Sequence, residues 1–394
     1  MSEWKEYKLG EIADVQTGPF GSQLHQSDYV DVGIPSIMPV NIGERMNIST
    51  EKIVYITEKD AMRLSRYRVQ NGDIVYSRRG DVEKCAYINE SEEGWLCGTG
   101  CLRIRIDSAH ADSKFVAYYL STEDMKSWIS NNAVGTTMPN LNSSILQQVP
   151  LSLPSLDEQK RIASILCSLD DKIDLLNREN ATLEAMAETL FRQWFIEEAK
   201  EDWEEGTVST FAEHYKESVN PQKLPATVFY HYSIPAFDNG KRPIQELGEE
   251  IQSNKYVIPQ DCILFSKLNP HKDKRIWLML DNIPQNAICS TEFQIIKPKG
   301  IEYLYFLYGW LNNNENYEEI ASGVGGTSGS HQRIDPKSIF TFVCPYVDSV
   351  LIQKYNKVVE PMFYKQRENQ KQIASLTEQR DILLPKLMSN EIAI

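Results

Sequence analysis

The sequence predicts an α+β protein: two similar globular heads separated by two long antiparallel helices, a tandem repeat with pseudo-two-fold character. Three observations predict it. Two stretches carry an apolar seam at alternating steps of three and four for about five heptads, beyond the three to four that argue coiled coil. Each follows a region of about 150 residues with short strand-like runs broken by Gly, Pro and Asn. The two halves also correspond in order: Asn71-Gly-Asp-Ile-Val-Tyr-Ser-Arg78 aligns with Gln260-Asp-Cys-Ile-Leu-Phe-Ser-Lys267, Phe115 to Leu120 with Glu302 to Leu307, and Gln159-Lys160 with Gln353-Lys354. The offsets stay within a narrow band, which a chance repeat does not sustain over three motifs.

The first head is assigned to residues 1–154, with strands expected at 53–56, 73–77, 102–106 and 149–153 and helices at 59–67 and 115–131. The first long helix takes 155–200. Pro154 and Ser155 precede it, Asp157 and Glu158 open it, and its seam runs Ile162, Leu166, Leu169, Ile173, Leu176, Asn180, Leu183, Ala187, Leu190, Trp194. The second head takes 201–347, with strands at 262–266, 276–280, 293–296 and 340–344 and a helix at 301–312. The second long helix takes 348–394, with Tyr355, Val359, Met362, Gln366, Asn369, Ile373, Leu376, Arg380, Leu383 and Leu387 on its seam. Asn180, Gln366 and Asn369 interrupt these seams near their middles. In an antiparallel pair they would face one another and fix the register.

At 394 residues, with globular composition, the chain fits two to three folded domains. No apolar run is long enough to span a bilayer and Met1 to Gly10 does not read as a secretory leader, so a cytoplasmic location and no membrane partner are expected. Seven scattered cysteines form no zinc-like spacing, and no metal site is expected. The net charge of -14 argues against bulk electrostatic binding of DNA, so any nucleic-acid site must be local.

No catalytic residues emerge. Gly323 to Ser330 lacks the lysine of a phosphate-binding loop, HExxH and GxSxG are absent, and Asn269-Pro270 is followed by His271 rather than by the proline and aromatic residue of an amino-methyltransferase pocket. Binding signals are stronger. Ser77-Arg78-Arg79-Gly80-Asp81 follows a strand, and Ser266 to Arg275 follows its counterpart. Arginine can grip guanine edges and asparagine can read adenine, which makes Arg78, Arg79, Asp81 and Lys84 in one head, and Lys267, Asn269, Lys272, Lys274 and Arg275 in the other, candidates for contact with DNA. A solvated hairpin tip is the plain alternative for either loop alone; the recurrence favours function. A second pair of loops, Ala133 to Asn140 and Gly323 to Arg333, combines glycines with hydroxyls in a way suited to phosphate, so Thr136, Thr137, Asn140, Thr327, Ser328 and Arg333 join the candidates. Phe191, Trp194 and Phe195 widen the first helix's apolar stripe beyond what one seam needs and are assigned to docking of a partner protein.

Together these strings resemble the specificity subunits of type I restriction-modification enzymes. The resemblance rests on Trp4 to Ala13, Asn71 to Gly80, Gly135-Thr-Thr-Met-Pro-Asn-Leu141, Leu153 to Ala163, Leu190 to Phe195, Trp203, Ser253 to Lys255, Ser266 to Pro270, Ser290 to Phe293 and Leu384 to Met388, in that order. It implies a non-catalytic, DNA-binding subunit whose two target-recognition domains each read half of a split sequence. It also implies that the helices dock two adenine-methylating modification subunits, with restriction subunits completing the complex. S-adenosylmethionine and ATP would belong to those partners, with no cofactor in this chain. A protein-binding coiled-coil adaptor without sequence reading is the competing class. The helices would act as a ruler, favouring half-site centres about one DNA turn, ~10 base pairs, apart.

Overall fold

A computed structural model of the chain describes residues 4–43, 45–135, 139–280, 282–325 and 332–392, the side chains of 324 and 325 excepted. The chain divides into two compact units, residues 1–175 with 372–394, and residues 176–371. Each unit contains one head together with parts of both long helices.

In the first unit a four-stranded antiparallel sheet runs in the order Ala13–Thr17, Cys101–Ile106, Ile74–Ser77, Cys85–Tyr87. All of Ile74–Ser77 is buried, which explains why that strand reads as a continuous run rather than an alternation. A second four-stranded sheet, Tyr29–Val30, Val54–Ile56, Ile34–Ile37, Leu96–Cys97, ends in a parallel pair. The ribbon of Lys5–Lys8 against Pro150–Leu153 brings the start of the head to the start of the first long helix.

The second unit repeats this plan. Its antiparallel sheet runs Ala212–Tyr215, Phe293–Pro298, Cys262–Ser266, Ile276–Met279, with the buried strand Cys262–Ser266 where Ile74–Ser77 lies in the first. A five-stranded mixed sheet again carries one parallel pair, made by Ala287–Cys289, and Glu205–Thr207 pairs with Val343–Pro345. The repeat is thus one of topology as well as of sequence.

Helix boundaries follow local capping. The helix expected over 115–131 is two, Ser113–Leu120 and Glu123–Asn132. Asp112 caps the first, and the hydroxyls of Ser121 and Thr122 divide the pair by donating to the Tyr118 and Tyr119 carbonyls, both at 2.8 Å. The matching break in the second unit falls at Asn313, whose side chain caps Asn314–Ser322. Of the strand expected over 340–344, Phe340 and Thr341 belong instead to the helix Pro336–Thr341, which Asp335 caps.

The long helices span Leu156–Arg192, closing in a π-type turn over Gln193–Glu197, and Ser349–Met388. In the first unit Gln159 is buried at the helix start, accepting from the Asp112 amide and donating to the Pro154 carbonyl, which ties the helix to the head. Gln353, its partner in the sequence alignment, is exposed. Ile162 and Leu166 of the first helix share the first unit's core with Leu387 and Met388 of the second.

The partner-docking assignment of Phe191 and Phe195 does not survive the packing. Both are 1% exposed and lie in the second unit's core against Phe306 and Tyr355. The extra aromatic width covers the head of this same unit. A Cβ added at Gly309 would come within 2.2 Å of the Phe191 ring, so that glycine makes the room. Trp194 is half-buried at the edge of the cluster, stacked edge-on against Tyr355.

Candidate nucleic-acid interface

In the first unit Arg78 to Gly80 leave the central buried strand and are pinned on two sides. The Arg78 amide donates to the Gly100 carbonyl and its own carbonyl accepts from the Leu141 amide, both at 2.8 Å, while the Gly80 amide donates to Pro139. Arg79 bridges Asn140, and Asn140 and Val134 exchange two backbone bonds that close the loop between them. The two loops identified from sequence, one basic and one glycine-threonine, are therefore a single paired structure.

The second unit builds the same arrangement from different residues. The Lys267 amide donates to Glu292, the Lys267 carbonyl accepts from Ile334, the Asn269 amide donates to Gln332, and Leu268 bridges Arg333. Each bond has its counterpart in the first unit. Gln332, Arg333 and Ile334 thus take the places of Pro139, Asn140 and Leu141, although the residues differ. The substitutions between copies respect the backbone: Gly72 (φ +91°) and Asp261 (+52°), like Gly80 (+77°) and Asn269 (+47°), keep the left-handed conformation that glycine, aspartate and asparagine tolerate.

Side chains differ more than backbone. Arg78 is half-buried, its Nε donating to the Leu141 carbonyl at 3.3 Å, and Arg79 is exposed. Lys84 pairs with Asp81 at 3.2 Å. In the second unit Lys272 is exposed and Lys267 half-buried. Two candidates turn inward and are corrected. Arg275 is buried, bound by Asp238 and Asp273, and the hydrogen bonds with Asp238 hold its guanidinium more firmly protonated. Lys274 donates to the Asn312 carbonyl and the Asn314 side chain, and burial lowers its affinity for a proton. Both cations hold the loop rather than extend from it. Arg333 is exposed but forms a two-pronged pair with Glu292. Thr136, Thr137, Thr327 and Ser328 lie outside the described residues.

Sequence reasoning gave no weight to the Gly98-Thr99-Gly100 loop, whose Gly100 carbonyl anchors Arg78. Its signal is steric: a Cβ at Gly98 would meet Ser36 Oγ at 2.5 Å and the Ile37 carbonyl at 2.7 Å. Among the described residues no group of three metal-ligating side chains gathers, and no helix is long and apolar enough to cross a membrane.

Comparison with known proteins agrees with this geometry. Residues 1–185 match the family model described as the type I restriction modification DNA specificity domain. The MjaIX specificity subunit of Methanocaldococcus jannaschii is 26% identical over all of this chain and 94% of its own length. The HindI specificity subunit of Haemophilus influenzae is 22% identical, with both chains covered completely. The family match covers the first head and most of the first long helix, and the likeness to type I specificity subunits runs the length of the chain. The crystal structure of a type I S subunit from M. genitalium shares the fold, with a TM-score of 0.62 at 17% identity, covering 98% of this chain and 96% of the other. Like the specificity subunits it resembles, the chain is a non-catalytic component.

Proposed function

We propose that each head of this specificity subunit reads one half of a split DNA sequence through its paired loops, and that the exposed flanks of the long helices dock two modification subunits. The observation that carries the reading is the bond-for-bond equivalence of the loops Arg78–Gly80 with Leu141 and Lys267–Asn269 with Ile334, presented on different side chains. An equal scaffold with unequal side chains is what two readers of two different half-sites require. The partners supply adenine methylation with S-adenosylmethionine and, where restriction subunits join, ATP-driven cleavage; this chain needs no cofactor. They also supply cationic surface, because a chain of net charge -14 has little of its own.

The test is to map methyladenine in DNA from cells with and without this chain, alongside mobility shifts of the chain assembled with its modification partners. Methylation confined to a two-part sequence that disappears with the chain is expected. Assembly without sequence preference would return the chain to the class of protein adaptors.

A further inference from the structure

In the first head three large apolar side chains stand in solvent around one loop cluster: Phe20 at 60% exposure, Val40 at 65% and Val134 at 63%. Scattered exposed apolar residues are ordinary. These are not scattered. The Thr99 hydroxyl donates to the Pro19 carbonyl at 3.1 Å, and the Gly18 amide donates to the Cys101 carbonyl at 2.9 Å, which seats the Phe20 turn against the glycine loop 98–100. The fit leaves no slack, since a Cβ at Gly18 would come within 2.2 Å of the Gly98 carbonyl. From the other side Pro39, beside Val40, lies 3.2 Å from where a Gly100 Cβ would stand. Gly100 in turn accepts the Arg78 amide, and Val134 closes the loop whose Asn140 bridges Arg79.

We infer that Phe20, supported by Val40, is a base-contacting element of the first head, offering DNA an apolar surface beside the Arg78–Arg79 cations. The inference rests on the proposed DNA-reading function and adds its chemistry. Arginine reads hydrogen-bonding edges. A phenyl ring reads what hydrogen bonds cannot, either the C5-methyl of thymine in the major groove or a base step loosened by a wedge. Gly21, at φ +61° with open space about its Cα, turns the chain directly after the ring without burying it. Among the described residues the equivalent strand of the second head, Ala212–Tyr215, leads into Lys216-Glu217 rather than into an exposed ring.

The experiment uses the chain assembled with its modification subunits and duplexes carrying the mapped target. Phe20→Ala is expected to reduce the preference for cognate over scrambled first half-site by about tenfold, with the second half-site and the melting temperature unchanged, because an exposed ring contributes little to folding. Phe20→Leu should retain part of the preference. Deoxyuridine in place of thymine in the first half-site should reproduce the loss if the methyl is read. If a step is wedged, 2-aminopurine there should brighten with the native chain and not with Phe20→Ala. An unaltered preference in Phe20→Ala and Val40→Ala, while Arg78→Ala does shift the first half-site, overturns the inference and leaves the DNA-reading function standing. Weaker assembly with modification subunits at unchanged sequence preference also overturns it, assigning the ring to a protein contact. If the native complex itself shows no preference for the cognate over the scrambled half-sites, the DNA-reading function fails.

Discussion

The Asn369 side-chain amide donates to Asn180 Oδ1 and to Glu179 Oε2, each at 2.9 Å, and Gln366 Nε2 donates to the Asn180 backbone carbonyl at 2.8 Å. Within the second unit this fixes which residues of the two long helices lie opposite one another. Asn369 is fully buried, so a slip of one heptad would set its amide against Ile173 or Ala187 and leave it unpaired at a cost of about 1–3 kcal/mol. A polar contact inside an apolar seam selects one alignment.

Asn369→Leu alone should lower the melting temperature, because it strands Asn180 Oδ1 and crowds Glu179. Replacing Asn180, Gln366 and Asn369 together by leucine should recover or exceed the native value while the register broadens. Spin labels at the exposed positions Ala185 and Tyr364 would read that broadening as a wider distance distribution. A triple variant less stable than the single one would contradict this account.

The aromatic cluster makes a second prediction. Phe191→Ala removes a buried ring packed on Phe306, Trp310 and Tyr355 and should cost about 3–5 kcal/mol, seen as lower cooperative stability of the second unit. Gly309→Ala should be destabilising for the complementary reason, the new methyl pressing on the same ring. Weaker binding of a modification subunit by either variant at unchanged stability would restore Phe191 to a docking role.

These residues show where sequence reading reached and where it stopped. Heptad spacing located both helices, since period is a local property, and ordered strings located the repeat. The same spacing placed Leu190 and Trp194 on the seam, whereas Ala187, Phe191 and Phe195 are buried at steps of four. Here the helix packs on a head as well as on its partner helix, so the sequence shows the extra apolar width but not what covers it. The loop cations were equally opaque. Arg275 and Arg79 look alike as letters, but Asp238, 37 positions away, claims the first. Of the second sheets only the strand expected at 53–56 was legible, because most of the others carry too few residues for an alternation to register.

Arg78 and Arg275 should therefore separate in experiment. Arg78→Ala should change selection at the first half-site only, by ~1–3 kcal/mol if it grips a base edge, with Lys267→Ala acting on the second. Arg275→Ala should lower thermal stability, because it leaves Asp238 and Asp273 facing each other without their shared cation. Methylation profiles and melting curves of the same variants distinguish the two roles. Uniform loss of affinity across sequences in Arg78→Ala would reassign that residue to phosphate.

Acid should weaken the second unit through His214. Its ring stacks on Phe340 at 4.9 Å, and burial, with Lys216 and Lys267 nearby, lowers its pKa from 6.5 to about 4 against the opposing hydrogen bond with Gln294. A base held neutral in the folded state binds fewer protons than when unfolded. Its contribution is complete above the unfolded pKa and is lost as pH falls from about 6.5 toward 4. The fall in melting temperature between pH 7.5 and 5 should shrink in His214→Phe. An identical fall in both proteins would remove His214 from the explanation.

The last prediction concerns the spacing between half-sites. The first long helix passes without a break from residue 156, in one unit, to residue 192, in the other, so added turns change the length of helix between heads without touching either reading surface. Four residues are about one turn and add ~6 Å, near two base pairs of duplex, with little net rotation. In the second unit the stretch between Asn180 and Phe191 lies against that between Tyr355 and Gln366 of the other helix. Four residues inserted in only one helix would separate the Asn180 contact from the Phe191 contact, and that variant should lose stability. Matched insertions after Leu183 and after Met362 keep both. The matched variant should methylate the same two half-sites across a gap about two base pairs longer, read by mapping methyladenine. Altered half-site letters with the native gap would show that the heads, rather than the helices, set the distance.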